Sequence, residues 1–126
     1  MHYTLNAEAR NWSHPMYIVR GTEPATGFKG LVIRARADKP MNIRVAVKEK
    51  HSNVNWEWWF TKSLFPGDGR YHQRAVLFED FEQVTNGFVD NDTLDTDKIR
   101  HLSIAVDGMT GEENNFYITH VYFVGD

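Results

Sequence analysis

The feature that most constrains this chain is the alternation running through residues 41–61. In MNIRVAVKEK, Ile43, Val45 and Val47 alternate with Arg44, Ala46 and Lys48, which is the period of a strand with one face in a core. A polar stretch, HSNVN, leads into WEWWFT, where Trp56, Trp58 and Phe60 alternate with Glu57, Trp59 and Thr61. The two runs read as a β-hairpin. Three of the chain's 4 tryptophans fall within residues 56–59, so both faces of the second strand carry an indole. One face of a half-buried strand reaches the core, and the other meets solvent. Parity with Phe60 assigns Trp56 and Trp58 to the core and leaves Trp59 outside. A bulge at Trp58-Trp59 would invert this and make Trp56 the exposed ring.

The same alternation recurs along the chain. Tyr3–Ala9 and Met16–Val19 read as short strands. Gly30–Ala37 is a longer one, with Leu31, Ile33, Ala35 and Ala37 on one face and Arg34 and Arg36 on the other. Tyr71–Phe78, Ile99–Val106 and Phe116–Val124 follow, with Leu102, Ile104 and Val106 inward and His101, Ser103 and Ala105 outward. Turn signals such as Pro66-Gly67-Asp68-Gly69 separate them. Gln83–Lys98 is a polar excursion in which Asp97 is expected to cap a short helical turn. With about eight strands and no amphipathic helix, the chain is expected to be all-β: an antiparallel two-sheet β-sandwich of jelly-roll type, forming one domain over residues 1–126.

Composition narrows the function. The chain has 126 residues and a net charge of −3 with scattered bases, which argues against nucleic acid or an anionic membrane as partner. It lacks cysteine, so disulfides and thiolate metal sites are excluded. No run reaches the length of a transmembrane helix, and no apolar signal segment opens the chain. The 6 histidines never fall in a zinc-ligand spacing. Asp90-Asn91-Asp92 and Asp95-Thr96-Asp97 lack the glycine and terminal glutamate of a calcium loop. Glu79-Asp80 are neighbours on a strand and point apart, unlike a glycosidase carboxylate pair. No constellation argues for an enzyme, and no cofactor is expected.

The order of motifs adds a resemblance. GFKGLVIRARADKPMNIRVAVKEK, the Trp-rich strand, YHQRAVLFEDF, LDTDKIRHLSIAV and FYITHVYFVG together resemble the β-jelly-roll carbohydrate-binding modules with the galactose-binding-like fold, families 4, 11 and 22 in particular. The likeness spans nearly the whole chain and is carried mostly by core periodicity. It implies non-catalytic binding of a β-linked polysaccharide (β-glucan, cellulose or xyloglucan) that targets an appended glycoside hydrolase. It also implies a secreted or cell-surface bacterial setting as a domain of a larger protein. Two departures stand out. The last strand reads Tyr117-Ile118-Thr119-His120-Val121, without the Asp-Asn pair that serves a structural calcium in such modules. The chain also starts at what would be their second strand, and a missing first strand leaves a sheet edge open to strand exchange or dimerisation.

In a jelly roll the strands at Met16, Met41, Val54 and Ile99 share a sheet. On the parity above, its outer face carries Arg44, Ala46 and Lys48, then Glu57, Trp59 and Thr61, then His101, Ser103 and Ala105, with Tyr17 joining them. The expected carbohydrate-binding residues are therefore Trp59, Tyr17, Arg44, Glu57, His101 and Lys48, with Trp56 as the alternative platform. The small residues would floor a shallow groove. A sugar's C–H face would stack on an indole, while arginine and carboxylate hold its hydroxyls. An interaction domain resembling the complex I assembly factors is the competing reading, with the Trp hairpin as partner hot spot. A small lyase or hydrolase is a third, with Glu57 and Tyr17 as candidate acid or base.

Overall fold

Where the chain is described, each alternating run contains a strand. The computed structural model describes residues 2–5, 16–18, 27–106 and 113–125. The strands are β1 (His2–Leu5), β2 (Met16–Ile18), β3 (Phe28–Ala37), β4 (Met41–Lys50), β5 (Trp56–Phe65), β6 (His72–Leu77), β7 (Glu82–Gln83), β8 (Ile99–Val106) and β9 (Asn114–Gly125). The remainder of the expected runs Tyr3–Ala9 and Met16–Val19 lies outside the described residues. Short 3-10 turns occupy Phe78–Asp80 and Thr96–Lys98. Asp97 lies inside the second turn rather than capping it; Asp95 precedes it.

The strands form two antiparallel sheets, ordered β1-β9-β3-β6 and β2-β8-β4-β5-β7. This is the expected jelly-roll sandwich, and the strands at Met16, Met41 and Ile99 share a sheet with the one expected from Val54, which begins at Trp56. The core lies between the sheets. Leu31, Ile33, Ala35, Ala37, Phe116 and Ile118 face Met41, Ile43, Val45, Val47, Phe65, Leu102 and Ile104. Phe65 and Phe116 bridge the layers edge to face, with ring centroids 5.5 Å apart. The Pro-Gly-Asp-Gly turn after β5 folds back onto the turn before β4. A Cβ at Gly67 would lie 2.3 Å from the Lys39 backbone, so only glycine fits there.

The hairpin parity is the main correction. In β5, Glu57, Trp59 and Phe65 are buried, whereas Trp56, Trp58 and Phe60 are half-buried on the outer face. No bulge is involved, because β4 and β5 pair without a register shift from Met41↔Phe65 to Lys50↔Trp56. The cause is the connection. Lys50 pairs with Trp56 across residues 51–55, closed by hydrogen bonds from the His51 and Ser52 N–H groups to Asn55 O, 3.0 and 3.2 Å. An odd number of linking residues pairs odd positions with odd. Val47 in the core therefore stands opposite Trp59, and Ala46 on the outside opposite Phe60.

Candidate functional site

The outer face of the five-stranded sheet is built in rows across β8, β4 and β5. Ala105, Arg44 and Lys62 form one row, then Ser103, Ala46 and Phe60, then His101, Lys48 and Trp58. Side chains at one register position of paired strands share a face, so the small residues of β4 and β8 lie beside the large rings of β5. The result is a groove of about 400 Å³. Ala46, Ser103 and Ala105 floor it, Trp58 and Phe60 wall it, and Val84 and Asn86 extend that wall. Arg44 closes one end, its guanidinium 4.1 Å from the centre of the Phe60 ring.

Beyond the other end the aromatic wall continues. Trp56 and His101 stack with centroids 5.0 Å apart and planes 8° from parallel. Lys48 Nζ lies 4.3 Å from the Trp56 ring centre and 4.9 Å from that of Trp58. Such cation–aromatic contacts hold long side chains against the sheet. Burial, then the charges of Lys48 and Lys50, push the His101 imidazole below its ordinary value. Two buried polar atoms of this face, Arg44 Nε and His101 Nδ1, have no hydrogen-bond partner among the described residues.

Arg44, Lys48 and His101 thus lie on the outer face as the sequence suggests, over the expected floor of Ala46, Ser103 and Ala105. Trp56 is there as well, through register rather than a bulge. Trp59 is not: it is 6% exposed and packs in the core. Glu57 is fully buried on the inner side; it does not face Arg44, whose partner in β5 is Lys62. Tyr17 stands opposite Leu102 in register, whereas its neighbours Met16 and Ile18 stand opposite Ser103 and His101. Trp58 and Phe60, which parity assigns to the core, instead wall the groove, and Val84 and Asn86 join them from outside the alternating runs. Lys62, on the parity of Trp58 and Phe60, was the signal that this set faces solvent.

Glu57 reaches the groove indirectly. Its carboxylate accepts hydrogen bonds from Trp59 Nε1 at 3.0 Å, Gln83 Nε2 at 3.1 Å and the Asp90 N–H at 2.6 Å. Gln83 also donates to the Asn91 carbonyl, and the Val84 N–H donates to Trp58 O at 2.9 Å. These bonds fasten the segment that carries Val84 and Asn86 to the back of β5. Burial alone would raise the Glu57 pKa, but the Asp90, Trp59, Glu49 and Gln83 hydrogen bonds outweigh it and hold it below the usual range.

Glu49 faces Glu57 directly across the hairpin and is also fully buried. It accepts from the Asp95 N–H at 2.6 Å and lies 2.9 Å from His51 Nε2. Burial and the neighbouring Glu57 charge push it up to about 7, against the Asp95 and His51 hydrogen bonds. Below about pH 7 Glu49 keeps its proton while Glu57 stays ionised, which removes the repulsion of adjacent carboxylates. Glu49, His51 and Asp95 bring ligand atoms within 4.8 Å of one another and could receive a cation in competition with that proton. Sequence spacing does not display this cluster, because Glu49-Lys50-His51 alone is no ligand signature and Asp95 arrives from a separate segment. Beside Thr119 and His120, which stand where the resembling modules carry an Asp-Asn pair, Arg34 Nη1 donates to Thr119 Oγ1 at 3.0 Å; a guanidinium there does not suit a divalent cation.

No protein-family model and no curated protein matches the sequence. Among solved structures, the chain is similar to the family 11 carbohydrate-binding module from Clostridium thermocellum in complex with a β-1,3-1,4-mixed-linked tetrasaccharide. That match has a TM-score of 0.66 at 14% identity and covers 99% of this chain and 88% of the other. The family 11 module of the cellulosomal cellulase Lic26A-Cel5E of the same organism matches with a TM-score of 0.66 at 15% identity, covering 100% and 87%. The chain therefore has the β-sandwich fold of the family 11 carbohydrate-binding modules.

Proposed function

We propose that this protein is a non-catalytic module that binds β-linked polysaccharide along the outer face of the β2-β8-β4-β5-β7 sheet. The carrying observation is the open trough with a floor of Ala46, Ser103 and Ala105 beneath the rings of Trp58 and Phe60. A pyranose laid on that floor stacks its C–H face against the wall, removing apolar area worth about 25 cal/mol per Å². Asn86, Ser103 and Arg44 supply donors and acceptors for the sugar edge. An open groove covers one side of a ligand, so affinity is modest.

The absence of a carboxylate from the groove lining favours binding over hydrolysis. Glu57, the sequence's acid candidate, is sealed in the interior. The mixed-linkage tetrasaccharide bound by one solved relative makes mixed-linkage β-glucan the first ligand to test. The cellulosomal setting of the other supports an extracellular role beside a glycoside hydrolase, where tethering raises local enzyme concentration. Electrophoresis through gels containing β-glucan tests the reading. Migration is retarded for the native protein and restored in Trp58→Ala; unretarded migration in β-glucan, cellulose-derivative and xyloglucan gels alike contradicts it.

A further inference from the structure

From the charges around the groove we infer that its polysaccharide carries carboxylates: uronate-bearing residues on a β-linked chain. The inference rests on the carbohydrate reading above and narrows its ligand class. The chain as a whole has 14 Lys and Arg against 17 Asp and Glu, yet the groove face is strongly positive. Arg44, Lys48, Lys50 and Lys62 all stand on the outer parity of β4 and β5, and none of them has an ion-pair partner among the described residues. Across the described parts of β4, β5, β7 and β8, Glu82 is the acid in register with this face, opposite Phe60 on the edge strand. The two acids that would have offset the charge, Glu49 and Glu57, are turned inward and fully buried.

Arg44 is the specific element. Its guanidinium carbon lies 4.1 Å from the centre of the Phe60 ring, which holds the head group against that wall. Its Nε is buried without a hydrogen-bond partner among the described residues, at the edge of the groove that Arg44 lines. A buried donor left unmade is costly, and a planar carboxylate matches a guanidinium edge with paired hydrogen bonds, which a lone hydroxyl cannot do. His101 Nδ1, at the far end of the face, is a second buried atom with no partner among the described residues, and it lies in the field of Lys48 and Lys50. A neutral glucan would leave this positive field unanswered, whereas a C6 carboxylate beside the stacked ring answers it.

The test is calorimetric titration of the full chain with cello-oligosaccharides, neutral and with C6 oxidised to glucuronate, on the same backbone. Glucuronate-bearing oligosaccharides are expected to bind about tenfold more tightly at low salt, the gap closing as salt rises to about 0.5 M. Arg44→Gln is expected to bring the two affinities within about threefold while the melting temperature is kept. If that variant fails to fold, the salt series and Lys48→Gln carry the same test. Equal binding, or tighter binding of the neutral chain, overturns the inference while leaving the carbohydrate reading intact. A sulfated chain binding as tightly as the glucuronate overturns the carboxylate assignment. Binding of none of these overturns the inference, and joined by unretarded migration in the β-glucan and xyloglucan gels it sinks the carbohydrate reading as well.

Discussion

Trp56 and His101 lie face to face, 5.0 Å between centroids, although β4 separates their strands in the sheet. The stack spans that strand with Lys48 against the Trp56 ring, and it fixes the end of the aromatic wall. Burial and the two lysines hold the imidazole below its ordinary value of 6.5. A depressed folded-state value means that this contribution to stability is present above 6.5 and is lost as pH falls through the lower value. Tryptophan fluorescence should therefore fall through a midpoint below 6.5, because imidazolium quenches a stacked indole. His101→Asn should remove the step, and an unchanged titration in that variant would assign it to another histidine.

The opposed orientations of Trp58 and Trp59 give the cleanest separation of binding from stability. Trp58→Ala should abolish retardation in β-glucan gels with little change in melting temperature. Trp59→Ala, which empties a core site and frees the Glu57 carboxylate of one donor, should cost about 3–5 kcal/mol. That corresponds to a fall of roughly 10 °C or more in melting temperature. The opposite pattern would mean that the register of β5 is wrong.

Glu49 makes stability depend on pH in a direction unusual for a carboxylate. Its folded value of about 7 stands above the ordinary 4.5, so its contribution is complete below 4.5 and is lost as pH rises through 7. Melting temperature should fall by roughly 5–10 °C between pH 5 and pH 8. Glu49→Gln, which keeps the neutral shape, should flatten that slope. A slope unaltered by the substitution would place the titration elsewhere.

Glu57→Gln probes the link between the interior and the groove. The substituted amide turns an N–H₂ toward groups that are themselves donors, leaving a buried mismatch worth about 1–3 kcal/mol. Hydrogen exchange at the Asp90 amide, now bonded to Glu57, should accelerate at least about tenfold. Glucan binding should weaken as Val84 and Asn86 lose their anchor. Unchanged protection at Asp90 would show that the segment is held by other contacts.

Much of this architecture is legible in the sequence because period-two alternation reports burial directly. Ile43, Val45, Val47, Leu102 and Ile104 are inward as their pattern says, so Arg44, Lys48, His101 and the small floor follow. In β5 the pattern is ambiguous, since Trp56, Trp58 and Trp59 leave an indole on each face. The tie is broken by loop parity and by the strand's continuation to Phe65, not by hydrophobicity. A buried Glu57 runs against composition altogether. It is tolerated because distant Gln83 and the Asp90 N–H reach it, and local sequence does not display such partners. The same holds for Val84 and Asn86, which reach the groove from the segment just after β7.

The side on which a sugar lies is the central claim, and the indole N–H resonances of the tryptophans report it directly. In ¹⁵N–¹H spectra titrated with a mixed-linkage tetrasaccharide, the Trp58 and Trp56 signals should shift together with the amides of Ala46 and Ser103. The Trp59 indole, bonded to Glu57 inside the sandwich, should stay in place. Shifts confined to β3, β6 and β9, or none at millimolar sugar, would contradict the account.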